Sequence, residues 1–335
     1  MKKIFLSAIL AGFMTLMSQT ASASNCGSVT IAEMNWASAG FMANVDKIIL
    51  KAMGCEAELV PGDTVPTFTS MNEKNQPDVA PEVWTNSVAA PLQKAFDEGR
   101  LHSANGAPIS GLGEGWWIPP ATAKKHPELK TVLDIIERPD LFPAPEDKSK
   151  GGFVTCPSGW GCQIVNANLF RAFEMEKKGW VMVDPGSAAG LDGSMAKAVD
   201  SGKNWFGYYW SPTAMIGKYN MVKVPFGVPF VGKEHWDSCI SKPEGECASP
   251  KPSSWTVSAV HTLMTDKFKK KGGSAATAYF KARTYPGAVM NSMLVYMQEN
   301  KADGADAAVE FLRKHEDIWT KWVPADVAAK VKASL

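Results

Sequence analysis

Five tryptophans stand next to loop residues, several of them where a strand-like run stops. Trp36 closes EMNW, Trp84 closes APEVW, Trp116 follows Gly115, Trp160 lies within CPSGWGC, and Trp210 ends NWFGYYW just before Ser211-Pro212. Indole faces are electron-rich, so several around one point hold a diffuse cation that donates no hydrogen bond, at roughly 0.5–2 kcal/mol per desolvated contact. A quaternary ammonium is such a cation. Micromolar affinity needs about 8 kcal/mol, so the rest of the ligand must contribute too.

The run CPSGWGC offers that contribution. If Cys156 and Cys162 are joined, the loop is fixed, and the N–H groups of Gly161 and Cys162 open the helical run QIVNANLFRAFE. Free N–H groups at a helix start attract anions. Together the two features suit a zwitterion, with its cation among indoles and its carboxylate on the helix start. A single Trp is ordinarily packing, and Trp180, Trp205, Trp236, Trp255, Trp319 and Trp322 are assigned to that role.

Catalytic patterns are absent: the chain has no G-x-S-x-G, H-E-x-x-H, P-loop or G-x-G-x-x-G. Ser194-Met195-Ala196-Lys197 matches S-x-x-K without its partner motifs, and the histidines at 102, 126, 235, 261 and 315 are scattered. The expectation is a binding protein, not an enzyme, and one without a cofactor. The alternative ion site is Glu234, Asp237, Glu244 and Glu246, hard oxygen donors crowded on one loop where Ca²⁺ could bind.

The elements that must position these residues alternate in type. Strand-like VTIAEM, CEAELVP and DVAPEVW alternate with helix-like runs from Phe41 to Met53 and over SVAAPLQKAFDEG, which Gly99 stops. The style repeats from about Gly115 to Phe226. Such alternation predicts parallel α/β sheets, here in two lobes: lobe 1 from 24–113 and 226–335, and lobe 2 from 114–225. Residues 232–252, rich in Pro, Gly and charge, read as a disulfide-pinned surface hairpin inserted in lobe 1. From Ala275 onward the chain is mostly helical.

Length and composition agree with this. The 335 residues fit about two domains, and 45% apolar against 21% charged residues is the balance of a folded protein. Residues 1–23 (MKKIFLSAILAGFMTLMSQTASA) have the cationic start, apolar run and small-residue end of a secretory signal peptide, which predicts a periplasmic protein. Loss of Lys2 and Lys3 with that leader takes the net charge from +1 to about −1, so no basic field exists for nucleic acid. Six cysteines in an exported chain favour disulfides. Fifteen pairings are possible, and the spacing favours neighbours: Cys26 with Cys55, Cys156 with Cys162, Cys239 with Cys247.

At these residues the chain resembles a known family, the substrate-binding proteins of ABC importers for glycine betaine, proline betaine, choline and related osmolytes. The resemblance is carried by the segment ending at Trp84, by Cys156-Pro157-Ser158-Gly159-Trp160-Gly161-Cys162, by Tyr208-Tyr209-Trp210-Ser211-Pro212, and by Val224-Pro225-Phe226. It implies an α/β type II periplasmic-binding-protein fold whose two lobes close on a ligand in the cleft. It implies an aromatic box of Trp84, Trp160 and Trp210, carboxylate donors at Gly161 and Cys162, and a loop disulfide between Cys156 and Cys162. Trp36 and Trp116 fall where choline-type relatives place further box aromatics, with Trp117 set aside because its neighbour already matches. The partners implied are an inner-membrane permease and its ATPase, served by a monomer.

There are departures from the family pattern. Val88 stands where betaine binders have a carboxylate-holding His, and Ser38 where choline binders have an acid. They favour a methylated onium with a small or displaced anionic end, such as trimethylamine N-oxide, whose oxide Glu114 or a backbone group would meet. The residues do not separate this from glycine betaine; dimethylsulfoniopropionate and choline are the alternatives, and a sugar is the reading from a different class.

Overall fold

A computed structural model describes residues 26–335, so the segment read as a signal peptide lies outside the described residues. The described strands are β1 (Ser28–Met34), β2 (Glu56–Gly62), β3 (Val79–Trp84), β4 (Leu101–Asn105), β5 (Gly113–Ile118), β6 (Gly151–Val154), β7 (Trp180–Val183), β8 (Gly207–Ser211), β9 (Val222–Lys223) and β10 (Val260–Thr265). They form two five-stranded sheets, in the orders β2-β1-β3-β10-β4 and β7-β6-β8-β5-β9. In β3 every residue but Trp84 is buried, as an inner strand covered on both faces requires.

The sheets are mixed rather than parallel. Strand β10 runs antiparallel to β3 and β4, and β5 antiparallel to β8 and β9. These are the strands that the chain reaches on passing from one sheet to the other. The strand–helix alternation that predicts parallel neighbours is broken at both crossings: residues 106–112 before β5 hold no helix, and the segment before β10 comes from the other sheet.

The C-terminal helices, from Gly273–Ala282 to Ala325–Ser334, pack with helix Ala37–Ala52 on the first sheet. A fully buried ion pair ties them together: Arg283 Nε lies 2.9 Å from Asp46 Oδ1, which also accepts from Tyr279 Oη at 2.5 Å. Burial pushes the Asp46 carboxyl up to about 6, against the pull of Arg283. The packing tryptophans include Trp319, bonded to Leu312 O, and Trp180, bonded to Ile136 O.

The cysteines join as sequence neighbours, Cys26–Cys55, Cys156–Cys162 and Cys239–Cys247. The 232–252 insertion is not a β-hairpin. It is a chain of short helical turns, Lys233–His235, Trp236–Ile240 and Glu244–Glu246. Trp236 and Ile240 need burial, and consecutive turns put both on one side. The acidic residues there do not converge: Asp237 pairs with Lys233, Glu244 with Arg171 and Glu246 with Lys242. No group of three or more candidate metal ligands exists among the described residues.

Candidate functional site

Parallel neighbours end at the same sheet edge, and ligands in α/β sheets bind beyond carboxyl ends. Strands β1 and β3 are parallel neighbours, so Trp36, just past β1, and Trp84, at the end of β3, emerge together. In the second sheet β6 and β8 are parallel neighbours; β6 feeds the loop of Trp160, and β8 carries Trp210. The two edges face each other. Trp36, Trp84, Trp160 and Trp210 line one small cavity.

The indoles are arranged as walls. The Trp160 ring lies 5.3 Å from Trp36 at 71° and 5.2 Å from Trp210 at 78°. Rings stacked in parallel would cover each other's faces, whereas near-perpendicular rings leave faces open to a shared interior. Trp36 and Trp84 each donate their N–H to Glu82 Oε1 at 2.8 Å, and Trp160 donates across the cleft to Asn35 Oδ1 at 2.6 Å. With these N–H groups engaged elsewhere, the rings present carbon surface to the cavity.

The same cavity reaches Gly161 and Cys162, Tyr208 and Glu114. Gly161 and Cys162 are the first two residues of helix Gly161–Ala172, where N–H groups have no partner within the helix. Gly161 has no alternative at this spot: an added Cβ would sit 1.7 Å from Ser87 Oγ and 2.4 Å from Ser87 Cβ. Beside it Val65 N donates to Gly159 O at 3.1 Å. The lobes are therefore closed on each other, with the disulfide loop of the second pressed onto the first.

Two buried carboxylates set the electrostatics. Glu114 accepts from Tyr208 Oη at 3.0 Å and from Asn86 Nδ2 at 3.1 Å. Glu82, fully buried behind Trp36 and Trp84, also accepts from Ser38 Oγ at 3.1 Å. Desolvation raises both above the ordinary carboxyl value, outweighing those hydrogen bonds. In its ionised form a carboxylate beside aromatic faces complements a cation, and in its acid form, which burial favours, it can donate a hydrogen bond.

Glu82 also makes a pH prediction. A carboxyl raised by folding holds its proton more tightly in the folded chain. Its contribution to stability is therefore complete at low pH and is lost as pH rises from 4.5 through the raised value. Glu82→Gln keeps the acceptor for Trp36, Trp84 and Ser38 without the charge. In urea unfolding at a series of pH values, the ligand-free variant is expected to be the more stable protein above that window, with the gap closing below it; parallel curves would count against a buried charge.

Of the residues expected here, Trp36, Trp84, Trp160, Gly161, Cys162 and Trp210 are brought together and Trp116 is not. Trp116 lies two residues beyond Glu114 on the same face of β5, about 7 Å deeper at 3.3–3.4 Å per residue. There the sheet is covered: its ring packs on Phe153 and Phe226, and its N–H donates to Asn166 Oδ1. Trp117, on the opposite face, bonds Tyr209 O. Val88 is buried, and Ser194 accepts from Trp205 Nε1. Glu82, behind the cage, and Tyr208, in its lining, are not among the expected residues. The signal for Glu82 was available, since an acid inside the apolar run VAPEVW must find buried partners.

Two α/β lobes closed over a small aromatic cavity are the architecture in which a solute can be enclosed. The family described as the substrate binding domain of ABC-type glycine betaine transport systems matches residues 27–314, and the chain belongs to it. It is 22% identical over 337 residues to the trimethylamine N-oxide-binding protein of Pelagibacter ubique, spanning 96% of this chain and 99% of that one. It is 24% identical over 234 residues to the glycine betaine/proline betaine-binding periplasmic protein of Salmonella typhimurium, covering 66% and 67%. Among solved structures, a choline-binding protein of an ABC transporter, in complex with choline, superposes with a TM-score of 0.73 at 17% identity over 92% of this chain and 98% of that one. A lactococcal glycine betaine-binding protein in its closed, liganded form does so at 0.66 and 16% over 89% and 100%.

This is the type II periplasmic-binding-protein fold. As a member of that family the chain is a substrate-binding protein of ABC-type transport. The family captures solutes rather than transforming them. No helix among the described residues is long and apolar enough to cross a membrane.

Proposed function

We propose that the protein captures a methylated onium osmolyte, trimethylamine N-oxide or glycine betaine, in the cage of Trp36, Trp84, Trp160 and Trp210 and delivers it to the permease. The observation that carries this is the sharing of one cavity by four indoles, a helix start and Glu114. The methyl groups meet the ring faces, each contact contributing about 0.5–2 kcal/mol once water is excluded. The anionic end meets Gly161 and Cys162. Glu114, whose value burial raises, acts as a donor to an oxide oxygen in its acid form and as a counter-ion in its ionised form. The relation to the Pelagibacter ubique protein favours the oxide.

Lobe 1, residues 24–113 with 226–335, and lobe 2, residues 114–225, each supply part of the cage, so the ligand bridges and stabilises the closed state. We place the protein in the periplasm, exported by cleavage after residue 23.

The test is tryptophan fluorescence of the mature protein titrated with trimethylamine N-oxide, glycine betaine, choline, dimethylsulfoniopropionate and a sugar, with calorimetry on any hit. Saturable micromolar binding of one onium compound, and none of the sugar, is expected. Silence with all four onium compounds would remove the proposal and leave the fold.

A further inference from the structure

The insertion at 232–252 touches both sides of the cleft. Toward the second sheet it is anchored on helix Gly161–Ala172: Asn168 Nδ2 donates to the carbonyls of Cys239, Ile240 and Lys242 at 3.2, 3.0 and 2.7 Å, and Arg171 Nη2 to Cys247 O at 2.7 Å. The two hydrogens of one buried amide, shared among three carbonyls, tie the turn to the helix, and the Cys239–Cys247 bridge closes it. Toward the first sheet, Trp236 Nε1 donates to Asn86 O at 2.9 Å, and the turn packs on helix Ala89–Asp97.

Asn86 is the residue through which this contact reaches the site. It lies in the turn Thr85–Ser87 after β3, and its side-chain amide donates to Glu114 Oε2 across the cleft. From the other side Trp236 packs on Trp255 at 5.9 Å, and Trp255 on Tyr208 at 5.3 Å. Tyr208 holds the second oxygen of Glu114. Both oxygens of the cavity carboxyl are thus held by groups that lean on the insertion.

We propose that this disulfide-closed segment is a latch between the lobes: built on the lobe-2 helix and gripping the lobe-1 turn through Trp236, it holds the closed state and slows ligand release. Trp236 is then a positioning residue, acting through Asn86 on Glu114. The proposal rests on the reading that the lobes close on an onium ligand, and its test separates the two.

Trp236→Phe keeps an aromatic ring, though a smaller one, and removes the N–H. Release of trimethylamine N-oxide, followed by stopped-flow fluorescence, is expected to accelerate about tenfold, with association changed less than twofold; a purely structural defect would slow association and lower melting of the ligand-free protein as well. Independently of any ligand, nitroxide labels at Glu73→Cys and Lys203→Cys, exposed positions on opposite lobes, report the closed fraction, which should fall in Trp236→Phe. Release within twofold of wild type, or an unchanged distance distribution, overturns the latch. If the wild type binds no onium compound, the functional reading falls, and the distance distribution still decides the latch.

Discussion

Trp160→Ala is expected to weaken onium binding about a hundredfold. The ring is the central wall of the cage, in edge contact with both Trp36 and Trp210, and its N–H crosses the cleft to Asn35. A desolvated cation–π contact contributes up to about 2 kcal/mol and a hydrogen bond about 1 kcal/mol, which together correspond to roughly two orders of magnitude in Kd. Trp160→Phe separates the parts, since it keeps an aromatic face and loses the cross-cleft bond. It should fall between the two proteins in calorimetry. Equal affinity in wild type and Trp160→Ala would mean that the ligand does not occupy this cavity.

Gly161→Ala is expected to reduce affinity by roughly a hundred- to a thousandfold while leaving the ligand-free protein folded. The position is helical, so alanine suits the backbone there; the obstacle is Ser87 on the opposite lobe. Rotation of the Ser87 hydroxyl cannot relieve a Cβ-to-Cβ distance of 2.4 Å, so the lobes must stand apart. Overpacking costs typically 1–3 kcal/mol, and the separation weakens cross-cleft bonds such as Trp160 to Asn35 and Asn86 to Glu114. Adding Ser87→Gly removes the obstacle, and the double variant should recover most of the affinity, as neighbouring positions couple. Failure of that rescue would show that Gly161 matters for a reason other than closure.

The two expectations differ in what made them accessible. Trp160 could be nominated from the sequence, because a large aromatic flanked by glycines in a cysteine-bounded loop has no helix or strand stripe to join. The requirement for glycine at 161 could not, because it depends on a side chain 74 positions away that only closure brings near. Glu114 was named in the sequence as a possible partner for an oxide, but its grip by Tyr208 and Asn86, one from each side of the cleft, depends on the closed arrangement.

By itself the sequence determined the local matters: strand and helix order, the short-range disulfides, and the place of Trp36, Trp84 and Trp210 at strand ends. These follow from side-chain period and chain proximity, which neighbours in sequence express. Only the tertiary structure decided the reversal of β5 and β10, the helical form of the 232–252 insertion, the burial of Trp116 and the company of Glu82. Trp116 and Trp36 are the same residue type in similar surroundings along the chain, and their fates part because a helix covers one point on a sheet face and leaves the edge of the other sheet open. Coverage is a property of packing between distant segments, and no local pattern encodes it.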